Sequence, residues 1–429
     1  MTRSNIHGAY EFNQTDSVLI RVNSRPFAVQ NKVFLMNDEL TIKFGSQYGP
    51  EEEAAVLRVL RENAPTSGNA CVAFEQEFAA YCGTKYARAV SNGTAALFLS
   101  MIGLGIKPGV RVITTPMTWI ATAAAPVTLG AEIDFVDVDP VSYNLDPAQL
   151  EAAITPFTKA IIPVHLYGQC ADMDAILAIA NKHGIPVVED ACHAIGGQYK
   201  GRMAGSMGAT GCFSFHEQKN ISTLGEGGMV VTNDPAIFER VSLYRSHCTR
   251  VHGGNTKYCA LDPEKFPMDK KFWWQDFDDC GYNHRMTDIQ AAVGTEQLKK
   301  ADTLNQRRID NAAYLTEGLR DVPGLALPVV LPEHKHVFHL YPVMIDPATY
   351  GLTKEDFIYR MRHEKDIQIG FHYIPLHWST AFQNRGFKRG QFPVAESMAE
   401  RLVTFPINPR QSRASLDILI DAVRALQAQ

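Results

Sequence analysis

Ala160-Ile161-Ile162-Pro163-Val164-His165 and Ile185-Pro186-Val187-Val188-Glu189-Asp190 are two short apolar runs, each closed by a polar residue. The segment between them, 173–183, reads as a helix. A strand, a helix and a second strand make one βα repeat, and the same alternation continues outward on both sides. Strands are predicted at 87–90, 111–115, 132–138, 211–215 and 229–232. Helices are predicted at 51–62, 73–82, 94–104, 119–129 and 147–153, with Gly83 as a C-cap. Short Val/Ile-rich strands alternating with helices predict an α/β fold, a mostly parallel central sheet covered on both faces.

The pattern breaks at 246–280, which holds Gly253-Gly254, the triplet Phe272-Trp273-Trp274 and many charges. A long irregular stretch inside a compact domain reads as an insertion or interface loop. A long helix begins at Thr287. Beyond it the chain reads as a smaller C-terminal α+β domain, with strands at 339–345 and 368–373 and helices at 354–362 and 415–426. The expected division is an N-terminal arm, 1–50, a large domain, 51–285, and a small domain, 286–429.

The chain has 429 residues, enough for two or three domains at roughly 150 residues each. Its 41 basic and 46 acidic residues leave a net charge of −5, which argues against a general nucleic-acid binder. Eight cysteines without a C-x-x-C pair read as reduced thiols of a cytoplasmic protein. No apolar stretch is long enough for a membrane span, and no secretory signal is read at the N-terminus.

Ligands of such sheets sit at the carboxyl ends of the strands. The polar residues predicted there are Ser91-Asn92-Gly93-Thr94, Thr118-Trp119, His165, Asp190 and the run Ser214 to Lys219. Gly93 admits a close backbone approach, and Thr94 and Ala95 offer helix N-terminal N–H groups, an arrangement suited to phosphate. An ordinary N-capped helix has the same sequence. Asp190 ends an apolar strand, where a carboxylate needs a cationic partner or serves as a helix cap. Lys219 stands before Gly225-Glu226-Gly227-Gly228, and a lysine in a pocket becomes a nucleophile when its pKa falls. Together these fit one cofactor. Pyridoxal phosphate needs an amine, an acid at its ring nitrogen, a phosphate cradle and a flat group against its ring. Lys219, Asp190, Gly93-Thr94 with Ser214, and Trp119 fill those needs.

These residues lie in a wider set of motifs: Ser91-Asn92-Gly93-Thr94-Ala95-Ala96-Leu97, Thr118-Trp119-Ile120-Ala121-Thr122, Pro163-Val164-His165-Leu166-Tyr167-Gly168, Glu189-Asp190-Ala191-Cys192-His193, Ser214-Phe215 with Lys219, Gly281-Tyr282-Asn283-His284-Arg285-Met286, and His372-Tyr373 with Pro375-Leu376-His377. From about residue 45 to 429 the sequence resembles the DegT/DnrJ/EryC1/StrS family of fold-type I sugar aminotransferases. The resemblance implies that Lys219 binds the cofactor aldehyde and moves the proton, and that Asp190 pairs with the pyridine nitrogen. It puts His193 near the ring hydroxyl, Trp119 on the ring, and Thr94, Ala95 and Ser214 at the phosphate. It implies a homodimer with active sites at the interface, Asn283 and Arg285 reaching the neighbouring subunit's site. Arg245, His372 and His377 are implied substrate contacts. The Gly-Glu-Gly-Gly run follows Lys219 one residue later than in the family pattern, because Asn220-Ile221-Ser222-Thr223-Leu224 supplies five residues in place of four.

The activity implied is transfer of an amino group from glutamate or glutamine to a keto sugar, a nucleotide-linked keto-hexose, or to a keto-cyclitol of the scyllo-inosose type. Relatives with histidine in place of the lysine eliminate water, but here Lys219 is in register and His216 lies three positions earlier. A non-catalytic regulator binding the cofactor or a sugar is the rival from another class. A nicotinamide dehydrogenase is disfavoured, because Gly103-Leu104-Gly105 runs into Ile106-Lys107-Pro108 and opens no G-x-G-x-x-G. His247, Cys248, His252, Cys259, Cys280 and His284 show no zinc-type spacing, so no metal site is expected.

Overall fold

The computed structural model describes residues 21–22, 25–26, 38–40, 45–62, 68–251 and 275–427. The chain falls into two units, Met1–Leu35 and Met36–Gln429. In the first, Arg21–Val22 and Arg25–Pro26 pair as an antiparallel hairpin. Every element below belongs to the second. That unit includes residues 45–50, which the sequence reading assigned to an arm.

The main layer is built from β1 (Tyr86–Val90), β2 (Arg111–Thr114), β3 (Glu132–Phe135), β4 (Thr158–Ile161), β5 (Val188–Asp190), β6 (Thr210–Ser214) and β7 (Gly228–Thr232). The strand orders are β1-β7-β6-β5 and β3-β2-β4. Parallel bridges Ile161–Val187 and Val164–Asp190 join β4 to β5, so the two form one layer. Only β7 runs antiparallel to its neighbours in this layer; β2, β3, β4, β5 and β6 pair in parallel. Two strands are shorter than the apolar runs predict. Pro163 and Pro186 carry no N–H, so the regular ladder stops before the first and starts after the second.

All residues of β5, β6 and β7 are buried, as strands covered on both faces must be. Their alternating side chains feed two cores. Phe213, Met229 and Val231 pack with Phe74 and Phe78 of α2 (Asn69–Cys82, after α1, Pro50–Glu62). Val188, Cys212 and Val230 pack with Leu97 of α3 (Gly93–Gly103) and Ala123 of α4 (Ala121–Thr128). Gly83 ends α2 at φ 71°, the left-handed cap its position predicts. Then come α5 (Pro147–Ala153), α6 (Met173–Lys182) and α7 (Pro235–Arg245). The last was not read from sequence, although Asp234 caps it and Pro235 opens it.

Helix α8 (Asp288–Leu319) starts on a Thr287–Gln290 capping box. Its Ala291 and Leu298 lie in the first core, and its Leu315 and Leu319 in a third. That third core covers an antiparallel sheet of β8 (Leu325–Ala326), β9 (Tyr341–Ile345) and β10 (Leu402–Phe405). Helices α9 (Lys354–Glu364), α10 (Pro393–Arg401) and α11 (Arg413–Gln427) complete the unit. The strand expected at 368–373 is absent. Gly370 makes one antiparallel bridge to Thr404, and the chain then leaves the sheet with His372. In the 246–280 stretch, Thr249–Val251 pairs with Gln275–Phe277. His252, Cys259 and Phe272-Trp273-Trp274 lie outside the described residues.

Candidate active site

A cavity of about 470 Å³ opens at the carboxyl ends of β5 and β6, beside the turn that leaves β1. Its size is that of a small-molecule site. Its lining brings together Gly93, Thr94, Trp119, Asp190, His193, Ser214, Lys219 and His372, eight of the residues singled out from the sequence.

Asp190 is the last residue of β5 and is buried. Its Oδ2 accepts a hydrogen bond from Thr122 Oγ1 at 2.7 Å, and its Oδ1 accepts the Cys192 N–H at 3.2 Å. Thr118 and Thr122, one helical turn apart, share a hydrogen bond at 2.8 Å. The carboxylate is therefore fixed by α4 on one side and its own following turn on the other. Hydrogen bonds to a charged group each contribute about 1.5–3 kcal/mol, enough to orient it.

Lys219 lies on the loop between β6 and β7. The loop is closed by Phe215 N–H to Gly227 O at 2.8 Å, Thr223 N–H to Phe215 O at 3.1 Å and Glu217 N–H to Gly225 O at 3.0 Å. Asn220 ties the residue after the lysine to Asn305 of α8 and to Val337 O, at 2.8 and 3.0 Å. The glycine run has a steric cause. Gly225 sits at φ 108°, and a Cβ on Gly228 would come within 2.4 Å of Asn92 O. Leu224, in the same longer segment, sits at φ 61°, where its N–H reaches the Tyr48 hydroxyl at 3.2 Å. Burial lowers the Lys219 pKa, and Cys192, Asp190 and Glu226 partly oppose that shift. A lysine so placed gives up its proton more readily than a solvated one.

The remaining wall is aromatic and imidazole-rich. Trp119 is 61% exposed, and its ring lies 6.1 Å from that of Tyr373. His193 Nδ1 accepts the Tyr167 N–H at 3.4 Å, and its Nε2 meets the Tyr373 hydroxyl at 3.1 Å. The His339 ring packs against that of His193 at a tilt, with centroids 4.3 Å apart. His372 Nδ1 meets Thr404 Oγ1 at 2.7 Å. Burial holds all three imidazoles neutral, and the nearby Lys219 ammonium adds to the effect; His372 is pushed down to about 4.

Several expected site residues are not at this cavity. The Ala95 N–H is taken by the Asn92 side chain at 2.8 Å, so it is spent as the helix cap. Gly93 and Thr94 supply the turn that faces the cavity. Arg245 is buried, bonded to Glu75 at 3.1 Å and to Ala89 O at 2.8 Å, because it ends α7 against β1. His377 is buried and bonded to Glu396 at 3.0 Å, facing α10. Arg285 bonds Ser246 Oγ at 2.8 Å, and Asn283 is exposed, bridged to Ser246. Conversely, Thr122, Tyr373 and His339 were not assigned roles. Thr122 and Tyr373 stood inside quoted motifs. His339 was legible only as an ionisable residue heading an apolar strand. Among the described residues no group of three or more His, Cys, Asp or Glu is arranged to hold a metal ion.

The donor set fits pyridoxal phosphate. A poised amine and a fixed carboxylate share one cavity, with an exposed indole beside them. The small-residue turn packs tightly, since a Cβ on Gly93 would meet Ser214 Cβ at 2.8 Å. This sheet with this site defines a class, the fold-type I enzymes that use pyridoxal phosphate.

Comparison with known proteins carries this further. Residues 46–424 match the model of the DegT/DnrJ/EryC1/StrS aminotransferase family, and the chain belongs to that family. The chain is 38% identical over 377 residues to the spore coat polysaccharide biosynthesis protein SpsC of Bacillus subtilis, covering 88% of this chain and 94% of SpsC. Among solved structures, DesV of S. venezuelae, in complex with a ketimine intermediate, is 36% identical, with a TM-score of 0.79 over 88% of this chain and 95% of that one. Spr1654 of Streptococcus pneumoniae, solved in its PMP form, is 26% identical. It superposes with a TM-score of 0.82 over 90% of this chain and 98% of that one. The protein is a pyridoxal-phosphate-dependent aminotransferase of the sugar-aminotransferase kind.

Proposed function

We propose that the protein transfers an amino group from glutamate or glutamine to a keto sugar, a nucleotide-linked keto-hexose, and thereby makes an amino sugar. A keto-cyclitol of the inosose type is the rival acceptor. The observation that carries the reading is the shared cavity of Lys219 and Asp190, with the lysine pKa lowered by burial. The polysaccharide role in SpsC's name supports a sugar over a cyclitol.

Bound pyridoxal phosphate supplies an electron sink that lets a proton leave the α-carbon of the amino donor. Asp190 would pair with the ring nitrogen of the bound cofactor and keep a proton there. Lys219 Nζ, once released, takes the proton from the donor's α-carbon. In the second half-reaction it returns a proton to the carbon that carried the ketone. With the cofactor bound, Trp119 would support the flat ring, His193 would stand at the ring hydroxyl, and Gly93, Thr94 and Ser214 would hold the phosphate. In this reading the protein is a cytoplasmic homodimer of large (51–285) and small (286–429) domains. Asn283 and Arg285 serve the neighbouring subunit's site, which accords with the exposure of Asn283.

The test is product analysis. The loaded protein is given glutamate or glutamine with a panel of nucleotide-linked 3- and 4-keto hexoses and inososes. An amino sugar from one nucleotide-linked member supports the reading. An amine formed only from an inosose moves the substrate to cyclitols. No amine from any member, despite cofactor binding, favours a ligand-binding regulator.

A further inference from the structure

The hydrogen-bond pattern of the imidazole wall assigns its protons. His193 Nδ1 accepts the Tyr167 N–H, so a neutral ring carries its proton on Nε2 and donates it to the Tyr373 oxygen. That leaves the Tyr373 O–H free to donate elsewhere. His339 lines the cavity, yet its Nδ1 is sealed from solvent with no partner. A bare acceptor is tolerated in such a place better than an N–H, so the His339 proton sits on Nε2. His372 Nδ1 is engaged by the Thr404 hydroxyl; with that hydroxyl donating, the ring proton is again on Nε2. His339, His372 and Tyr373 all line the cavity that contains Lys219.

Three donor-bearing side chains lining one cavity suit a group that only accepts. A sugar hydroxyl both donates and accepts, and it would leave its own proton without a partner against such a wall. A carboxylate has two oxygens and no proton to place. We propose that His339 Nε2–H, His372 Nε2–H and the Tyr373 hydroxyl form the carboxylate-binding wall for the amino-acid donor. This rests on the aminotransferase reading above. Neutral donors suit the task, because the donor carboxylate must arrive, leave with the 2-oxo acid and clear the cavity for the keto sugar in the other half of the ping-pong cycle. A fixed buried cation would hold it more tightly.

The probe is glutarate, a dicarboxylate that has no amine and cannot react. Its binding to the pyridoxal-phosphate-loaded protein is measured by calorimetry in the wild type and in His339→Leu, His372→Leu, His339→Gln and Tyr373→Phe. Each leucine variant is expected to weaken glutarate about tenfold, the effect of one lost hydrogen bond to a charged group. Tyr373→Phe, which keeps the ring and so tests the wall even where a histidine variant misfolds, is expected to weaken it about threefold to tenfold. His339→Gln retains a donor and should bind within about threefold of wild type. Glutarate affinity unchanged in Tyr373→Phe and in the folded histidine variants overturns the proposal, whatever happens to turnover. So does a wild type that binds no glutarate. A parallel addition of l-glutamate to the wild type tests the aminotransferase reading separately. Glutarate binding without any response of the cofactor absorbance to glutamate would sink that reading and leave the wall standing.

Discussion

On the sheet side of the cavity, Asp190 and Ser214 end adjacent parallel strands, Gly93 and Thr94 follow a third, and Lys219 sits in the loop after Ser214. The remaining wall draws His339, Leu340, His372, Tyr373 and Ile407 from three separate segments of the C-terminal part. The first side consists of local motifs, and the chain topology alone delivers them to one edge. The second exists only after α8 and the small sheet have docked. Chemistry sits on the side with local motifs, while the other side frames what enters. The predictions below probe that division.

The largest effect belongs to the sheet side. Lys219→Ala removes the proton carrier and should lower turnover by about a thousandfold or more, with the fold retained. Stopped-flow and steady-state assays of the donor half-reaction check this. Asp190→Asn keeps the shape but lacks the negative charge, and a loss of about a hundredfold or more is expected with cofactor still bound. A near wild-type rate in either variant would break the division.

Arg308 tests how the second wall is held. It is fully buried and donates to Phe338 O at 3.1 Å and to Ile407 O at 2.8 Å, with a further bond to Gly45 O. Gly45 in turn gives its N–H to Glu217 O beside the lysine, at 2.9 Å. Arg308→Met leaves these carbonyls unpaired and should cost about 3 kcal/mol of stability, read as a lower denaturation midpoint.

The imidazoles give a pH signature. Burial pushes His372 down to about 4 and His336 to about 3, and His193 and His339 fall well below 6.5. In the unfolded chain they take protons near pH 6.5, while the folded protein refuses them. Stability is therefore fully present above about pH 6.5 and is lost as pH falls toward 4, each histidine contributing at most about 1.4 kcal/mol per pH unit. Chemical denaturation of the cofactor-free protein across that range checks the sign. The smallest effect is Thr122→Val, which removes one bond to Asp190 and should slow turnover about threefold to tenfold.

The same division explains what was legible in sequence. The parallel layer, the Gly83 cap and the Lys219, Asp190 and Gly93 positions follow from short-range pattern, because strand, turn and strand-end residue are neighbours in the chain. Arg245 and His377 were misplaced because a polar residue near a motif has no local sign of which way it faces. Only folding turned one onto Glu75 and the other onto Glu396. The expected strand at 368–373 had the right composition. Thr404, however, gives both its backbone groups to Gly370 and its hydroxyl to His372, and the segment peels away into the cavity. His339 was hidden for the same reason, its partners lying far away in sequence.

The central claim is that Lys219, poised beside Asp190, exchanges the cofactor's amino group with an amino acid. The direct measurement is the near-ultraviolet and visible absorbance of the pyridoxal-phosphate-loaded protein as l-glutamate and then l-glutamine are added without any acceptor. The account predicts that one of them removes the band of the lysine-bound cofactor and that the matching 2-oxo acid restores it, with no such cycle in Lys219→Ala. A wild-type protein that binds the cofactor and keeps an unchanged spectrum with both donors would contradict it.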